Sequence, residues 1–109
     1  MSDEEFDQKF KAIADTFIDL ANQHAKEAHV ENVSIALLYA ASRFNAYVVA
    51  NNAENLEKFE SDRKSASDFF QEKYQEMLQE NLDDYSKVYE PQPKYAHLMK
   101  DQENSKADV

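Results

Sequence analysis

Residues 33–50 read VSIALLYAASRFNAYVVA, and this stretch decides the fold. Fourteen of its eighteen positions are apolar, and the exceptions are Ser34, Ser42, Arg43 and Asn45. A helix that is apolar on nearly every side has to be covered on nearly every side. Two seams run along it. One is Val33, Leu37, Ala40, Phe44, Tyr47 and Val48; on roughly the opposite side lie Ile35, Leu38, Ser42, Asn45 and Val49. The first seam suits the domain's own core. The second asks for a partner, because one flank of each helix in a three-helix domain normally faces water. Ile35, Leu38, Ser42 and Val49 are therefore the expected interface residues.

Outward from this run the chain turns acidic. Residues 1–32 carry eight acids and three bases, residues 33–53 only Arg43, residues 54–90 eleven acids and five bases, and residues 91–109 three of each, which sums to a net charge of −10. An acidic surface repels phosphate backbones, so nucleic-acid binding is not expected. The chain has no Gly, no Cys and only two Pro. Without Gly a strand-rich fold with tight turns is disfavoured, and without Cys there is neither a disulfide nor a thiolate metal site. The N-terminus, Met-Ser-Asp-Glu-Glu-Phe, lacks the basic and apolar regions of a signal peptide. The apolar run is short for a membrane span and holds Arg43 near its centre, a costly charge in lipid, so no membrane partner is expected. The expected setting is the cytoplasm.

Upstream, Phe6, Phe10, Ile13, Phe17, Leu20, His24 and Ala28 recur at steps of three and four and predict a helix over 3–28. Ser2 with Glu5 fits a capping box, and the acids of the first turn suit the helix dipole. Glu5–Lys9 and Asp7–Lys11 have the spacing of i,i+4 ion pairs. Asn32 is the expected cap of the central helix, which the pattern places over 33–51. Downstream, after a polar break at 51–55, a helix is predicted over 54–88. Its apolar side carries Leu56, Phe59, Ala66, Phe70, Tyr74, Met77, Tyr85 and Val88, and Pro91 and Pro93 end it. The expected architecture is all-α: a three-helix antiparallel bundle with a long third helix, self-associating. It forms a single helical domain over 1–90, followed by a polar, flexible tail over 91–109.

The stretches YAASRFNAYVVA (39–50) and ENLDDY (80–85) together resemble a bacterial family of small, acidic, helical proteins, domain of unknown function 3144. The resemblance runs through most of residues 4–89. It implies a helical fold and a bacterial setting, and it implies no reaction.

Arg43 is the sharpest candidate for chemistry. Alone among apolar neighbours it needs a partner or a route to water. A structural role is favoured: an ion pair with a carboxylate of the first or third helix, or a side chain that reaches the surface. The functional alternative is an anionic-ligand site formed by Arg43 with Asn45, Tyr39 and Tyr47. No metal site is expected, because the residues three before His24, His29 and His97 are Ala21, Lys26 and Lys94, which form no Glu-x-x-His motif. Asp83 and Asp84 point about 100° apart on a helix and read as a solvated face beside a buried Tyr85, not as an acid–base pair. There are no catalytic residues to name and no cofactor motif. The function expected from sequence is a non-enzymatic oligomeric interaction or regulatory protein, with a homodimer favoured and an additional protein partner open. A ligand-binding bundle ranks second and an enzyme last.

Overall fold

A computed structural model describes residues 2–89. Three helices account for 91% of these residues, and no strand occurs among them. They are α1 (Asp3–Ala25), α2 (Val30–Asn52) and α3 (Leu56–Tyr89), of 23, 23 and 34 residues. At about 1.5 Å per residue, α3 is roughly 51 Å long. The expected long third helix is therefore present, and α1 contacts α2 while α2 contacts α3. The expected tail over 91–109 lies outside the described residues.

Local chemistry explains the boundaries. Ser2 caps α1: its Oγ accepts a hydrogen bond from the Glu5 amide at 3.2 Å, and Asp3, Glu4 and Glu5 fill the first turn. The helix ends at Ala25 instead of reaching 28. The Lys26 amide bonds back to Gln23, and the amides of Glu27 and Ala28 bond to the His24 carbonyl. No described residue takes a positive φ. A chain without glycine thus makes both of its connections with negative-φ backbone and short return hydrogen bonds.

The central helix begins three residues before the expected start. Val30, Glu31 and Asn32 are already helical, and the Val33 amide donates to the His29 carbonyl at 3.1 Å. Asn32 is thus inside the first turn and is not the cap; a short polar side chain is as compatible with a helical first turn as with an N-cap. α3 starts at Leu56, two residues later than expected, and Asn55 caps it: its Oδ1 accepts from the Lys58 amide at 2.9 Å.

Packing divides the described residues into two units whose boundary falls inside α2, between Ala41 and Ser42. The first unit is α1 with the beginning of α2. Its least exposed residues are Ala21 and Ala25 of α1 and Val33 of α2. The second unit is the remainder of α2 with α3. Here Asn45, Val49 and Ala53 repeat at four-residue steps, and Phe59, Asp62, Ala66 and Phe70 at steps of three and four; all seven are half-buried. These two series trace the line along which α2 and α3 meet.

The two seams of α2 are used differently along its length: Val33, of the seam read as core, is half-buried in the first unit while Ile35 and Leu38 are exposed, but in the second unit the seams change places. Asn45 and Val49, from the seam read as partner-seeking, lie along α3. Phe44 and Tyr47, from the seam read as core, are 64% and 59% exposed. Both seams are apolar, and periodicity cannot say which one the chain covers by itself.

No described residue is fully buried, polar or apolar, while twenty-two large apolar side chains are exposed. Ordinary single domains of this size enclose a hydrophobic core. Three helices with no core to anchor them are marginal in water, since helical stability in proteins comes mainly from packing an apolar face.

Candidate functional site

The candidate ligand residues divide into two sets along α2. Tyr39, Arg43 and Tyr47 stand at successive turns on one side of the helix. Asn45 lies two residues from Arg43, roughly 160° around the axis, and is half-buried on the α3 side. The structure thus aligns three of the four residues and sets Asn45 apart. Tyr39 and Tyr47 are exposed, the latter beside Phe44 with ring centroids 5.8 Å apart. Arg43 is exposed, and its guanidinium forms no ion pair among the described residues. Of the two structural roles expected, the ion pair with a carboxylate of the first or third helix is not made there, and the side chain is at the surface.

The candidate interface residues also differ from one another. Ile35 is 65% exposed and Leu38 44% exposed, Ser42 is exposed, and Val49 is half-buried.

Charge is arranged unevenly between the helices. All five ion pairs among the described residues are within α3: Lys58–Asp62 and Lys64–Asp68 at 2.9 Å, Arg63–Glu60 at 3.4 Å, and Lys73–Glu76 and Lys87–Asp84 at 3.6 Å. They are solvated i,i+3 and i,i+4 pairs, each contributing a few tenths of a kcal/mol at most. On α1, Glu5–Lys9 and Asp7–Lys11 have the right spacing but do not pair. Their carboxylates are held by no cation of the described chain.

The acidic stretch of α3 offers no convergent acid–base pair. Asp84 is held by Lys87, and Asp83 accepts from Gln79 Nε2 at 3.1 Å. Tyr85 is exposed instead of buried as the sequence suggested. A surface hollow on α3, of about 380 Å³, is lined by Glu60, Arg63, Lys64, Ser67 and Asp68. These are the same solvated, mutually paired side chains. No three His, Asp or Glu side chains among the described residues are placed to hold a metal ion.

Residues 10–86 match the family described as protein of unknown function (DUF3144). The chain belongs to the DUF3144 family. The match takes in most of α1, all of α2 and nearly all of α3, so the three helices together are the family's unit. No curated protein and no solved structure matches the chain. Membership in DUF3144 therefore brings no assigned activity.

By length and composition α2 could cross a membrane. The apolar run read as short for a span sits in a helix that begins earlier than expected and is 23 residues long. The costly position of Arg43, near its middle, is unchanged.

What sequence reasoning missed was the combination on α2 of an uncovered apolar face and an unpaired cation at its edge. The apolar face was legible in the residue spacing. That Arg43 finds no carboxylate on its own chain's described helices was not.

Proposed function

We propose that this DUF3144 protein is a non-enzymatic, self-associating helical protein, a homodimer in the simplest case, whose hydrophobic core forms between copies. It would serve as a soluble cytoplasmic interaction or regulatory module. The observation that carries this reading is the absence of any fully buried residue among those described, set against twenty-two exposed large apolar side chains.

The area agrees. Ten of those side chains are Phe or Tyr, each about half exposed or more. They leave roughly 100 Å² each uncovered, or about 1,000 Å² per chain from aromatics alone. Obligate interfaces bury about 2,000–5,000 Å² over both partners. An exposed apolar area of this size marks a surface that is covered in the working state.

Lipid is a poorer cover than protein. A membrane could take α2, but the segments flanking it are both acidic, with net charges of −5 and −6, where a spanning helix is normally anchored by basic residues on one side. Phe6, Phe10 and Phe17 on α1, and Tyr74, Leu82 and Tyr85 on α3, would still be left in water. A second copy can cover all three helices.

Sedimentation equilibrium on the full chain, purified without detergent, tests the proposal. The expected result is an integer multiple of 12.6 kDa, with two as the simplest value. A folded, helical species of one chain mass at micromolar concentration would refute it.

A further inference from the structure

Arg43, Phe44 and Tyr47 form a compact surface on α2, with Tyr39 one turn earlier on the same continuous helix. Phe44 and Tyr47 are in ring contact and largely exposed. Arg43 borders the apolar stripe. Between Val33 and Ala53 it is the sole charged residue, in a chain of net charge −10. Tyr and Arg are among the residues most enriched where interfaces concentrate their binding energy. Geometry and charge together describe the helix that would fit here: an apolar stripe bordered by carboxylates that lack a cation of their own.

Only one of the described helices has both features. On α2 itself, Glu31 is the single acid. On α3, the exposed stripe of Tyr74, Met77, Leu78, Leu82 and Tyr85 is bordered by Asp84, which Lys87 engages; Glu72, Glu80 and Asp83 form no ion pair among the described residues but stand about 140° or more from its midline, and Glu57 lies more than four turns before it. On α1, Phe6, Phe10, Ile13 and Phe17 present an exposed stripe. Glu5 and Asp7 stand at the two borders of that stripe, about 100° to either side of its midline, and neither forms an ion pair among the described residues.

Resting on the self-association proposed above, we infer that the occupant of this α2 surface is α1 of a second copy, with Arg43 pairing to Glu5 or Asp7 across the interface. In a two-fold dimer the contact occurs twice. It places a desolvated, charge-assisted pair at the edge of a core made of Phe44, Tyr47 and the aromatic stripe of α1. The unpaired base of one helix and the unpaired acids of another are then satisfied together.

Charge exchange tests this. Arg43→Glu, and separately Glu5→Arg with Asp7→Arg, each place like charges opposite one another in a homodimer. Mixed in equal amounts, the two variants restore both opposite-charge contacts, but only in the heterodimer. Sedimentation velocity and circular dichroism are read on each variant and on the mixture. The expected result is at least about tenfold weaker association for each variant alone and recovery of mass and helicity on mixing. Should the separate variants lose their fold, recovery on mixing still decides the matter. If Arg43→Glu associates like wild type, or if the mixture recovers nothing, the inference is overturned while self-association stands. A wild-type chain that is itself a folded monomer overturns the earlier proposal instead.

Discussion

Replacing Phe44 with Glu should abolish self-association and, with it, most of the helicity of the chain. In the single chain Phe44 is 64% exposed and contacts Tyr47 on its own helix. A surface substitution of that kind ordinarily changes stability by no more than about 0.5 kcal/mol. If Phe44 instead lies in a core formed between copies, the substitution removes a buried ring and buries a carboxylate. Loss of the ring alone costs about 3 kcal/mol or more, and the unpaired charge adds to that. In a symmetric dimer the loss is incurred twice. Circular dichroism melts with size-exclusion chromatography on Phe44→Glu and wild type separate these cases. A melting temperature within a degree or two of wild type, with unchanged elution, would place Phe44 on a true surface.

The second large effect is expected at Val49. This residue lies half-buried on the line where α2 meets α3, with Asn45 on its own helix, Ala53 just past its end, and Phe59, Asp62, Ala66 and Phe70 on the other helix. Val49→Glu adds a carboxylate to a seam that already carries Asp62, whose nearest cation, Lys58, is on the same helix at 2.9 Å. Loss of apolar burial and the added like charge together should cost about 2–3 kcal/mol. The damage should be local to the pairing of α2 with α3. Hydrogen exchange would show it as faster exchange of the amides over residues 56–70 than over α1. Equal acceleration in α1 and α3 would assign Val49 to the interface between copies instead.

These two expectations invert what the sequence alone suggests. Helix number and type were legible because Phe6 to Leu20 and Leu56 to Val88 recur at helical spacing and because no glycine or proline interrupts them. Asn55, the cap of α3, was read only as part of a polar break, whereas Ser2 was legible in part because a short polar side chain before an apolar periodic run has one favourable use. Asn32 misled for the same reason, since the backbone of α2 is already helical at Val30. The two seams of α2 were visible, but not their destinations. Spacing specifies that Phe44 and Val49 lie on different faces. Which of them meets α3 depends on how the α2–α3 connection at Ala53, Glu54 and Asn55 directs the chain, and no periodicity encodes that.

The candidate site was legible to a similar depth. Tyr39, Arg43 and Tyr47 share a face by spacing alone, and the same arithmetic separates Asn45 from them. The sequence could not show that the α1 acids go without ion pairs among the described residues while five of the α3 acids are engaged along their own helix. Glu5–Lys9 and Lys58–Asp62 have the same i,i+4 separation, yet only the second closes. Pairs of this kind are weak enough that side-chain entropy settles them.

The central claim is that folding and association are one event. Thermal unfolding followed by circular dichroism across a hundredfold dilution series tests it most directly, because an obligate oligomer has no stability independent of its protomer concentration. A melting temperature that falls steadily with dilution, together with loss of helicity at the lowest concentrations, is the predicted result. A cooperative transition at the same temperature throughout the series would contradict it.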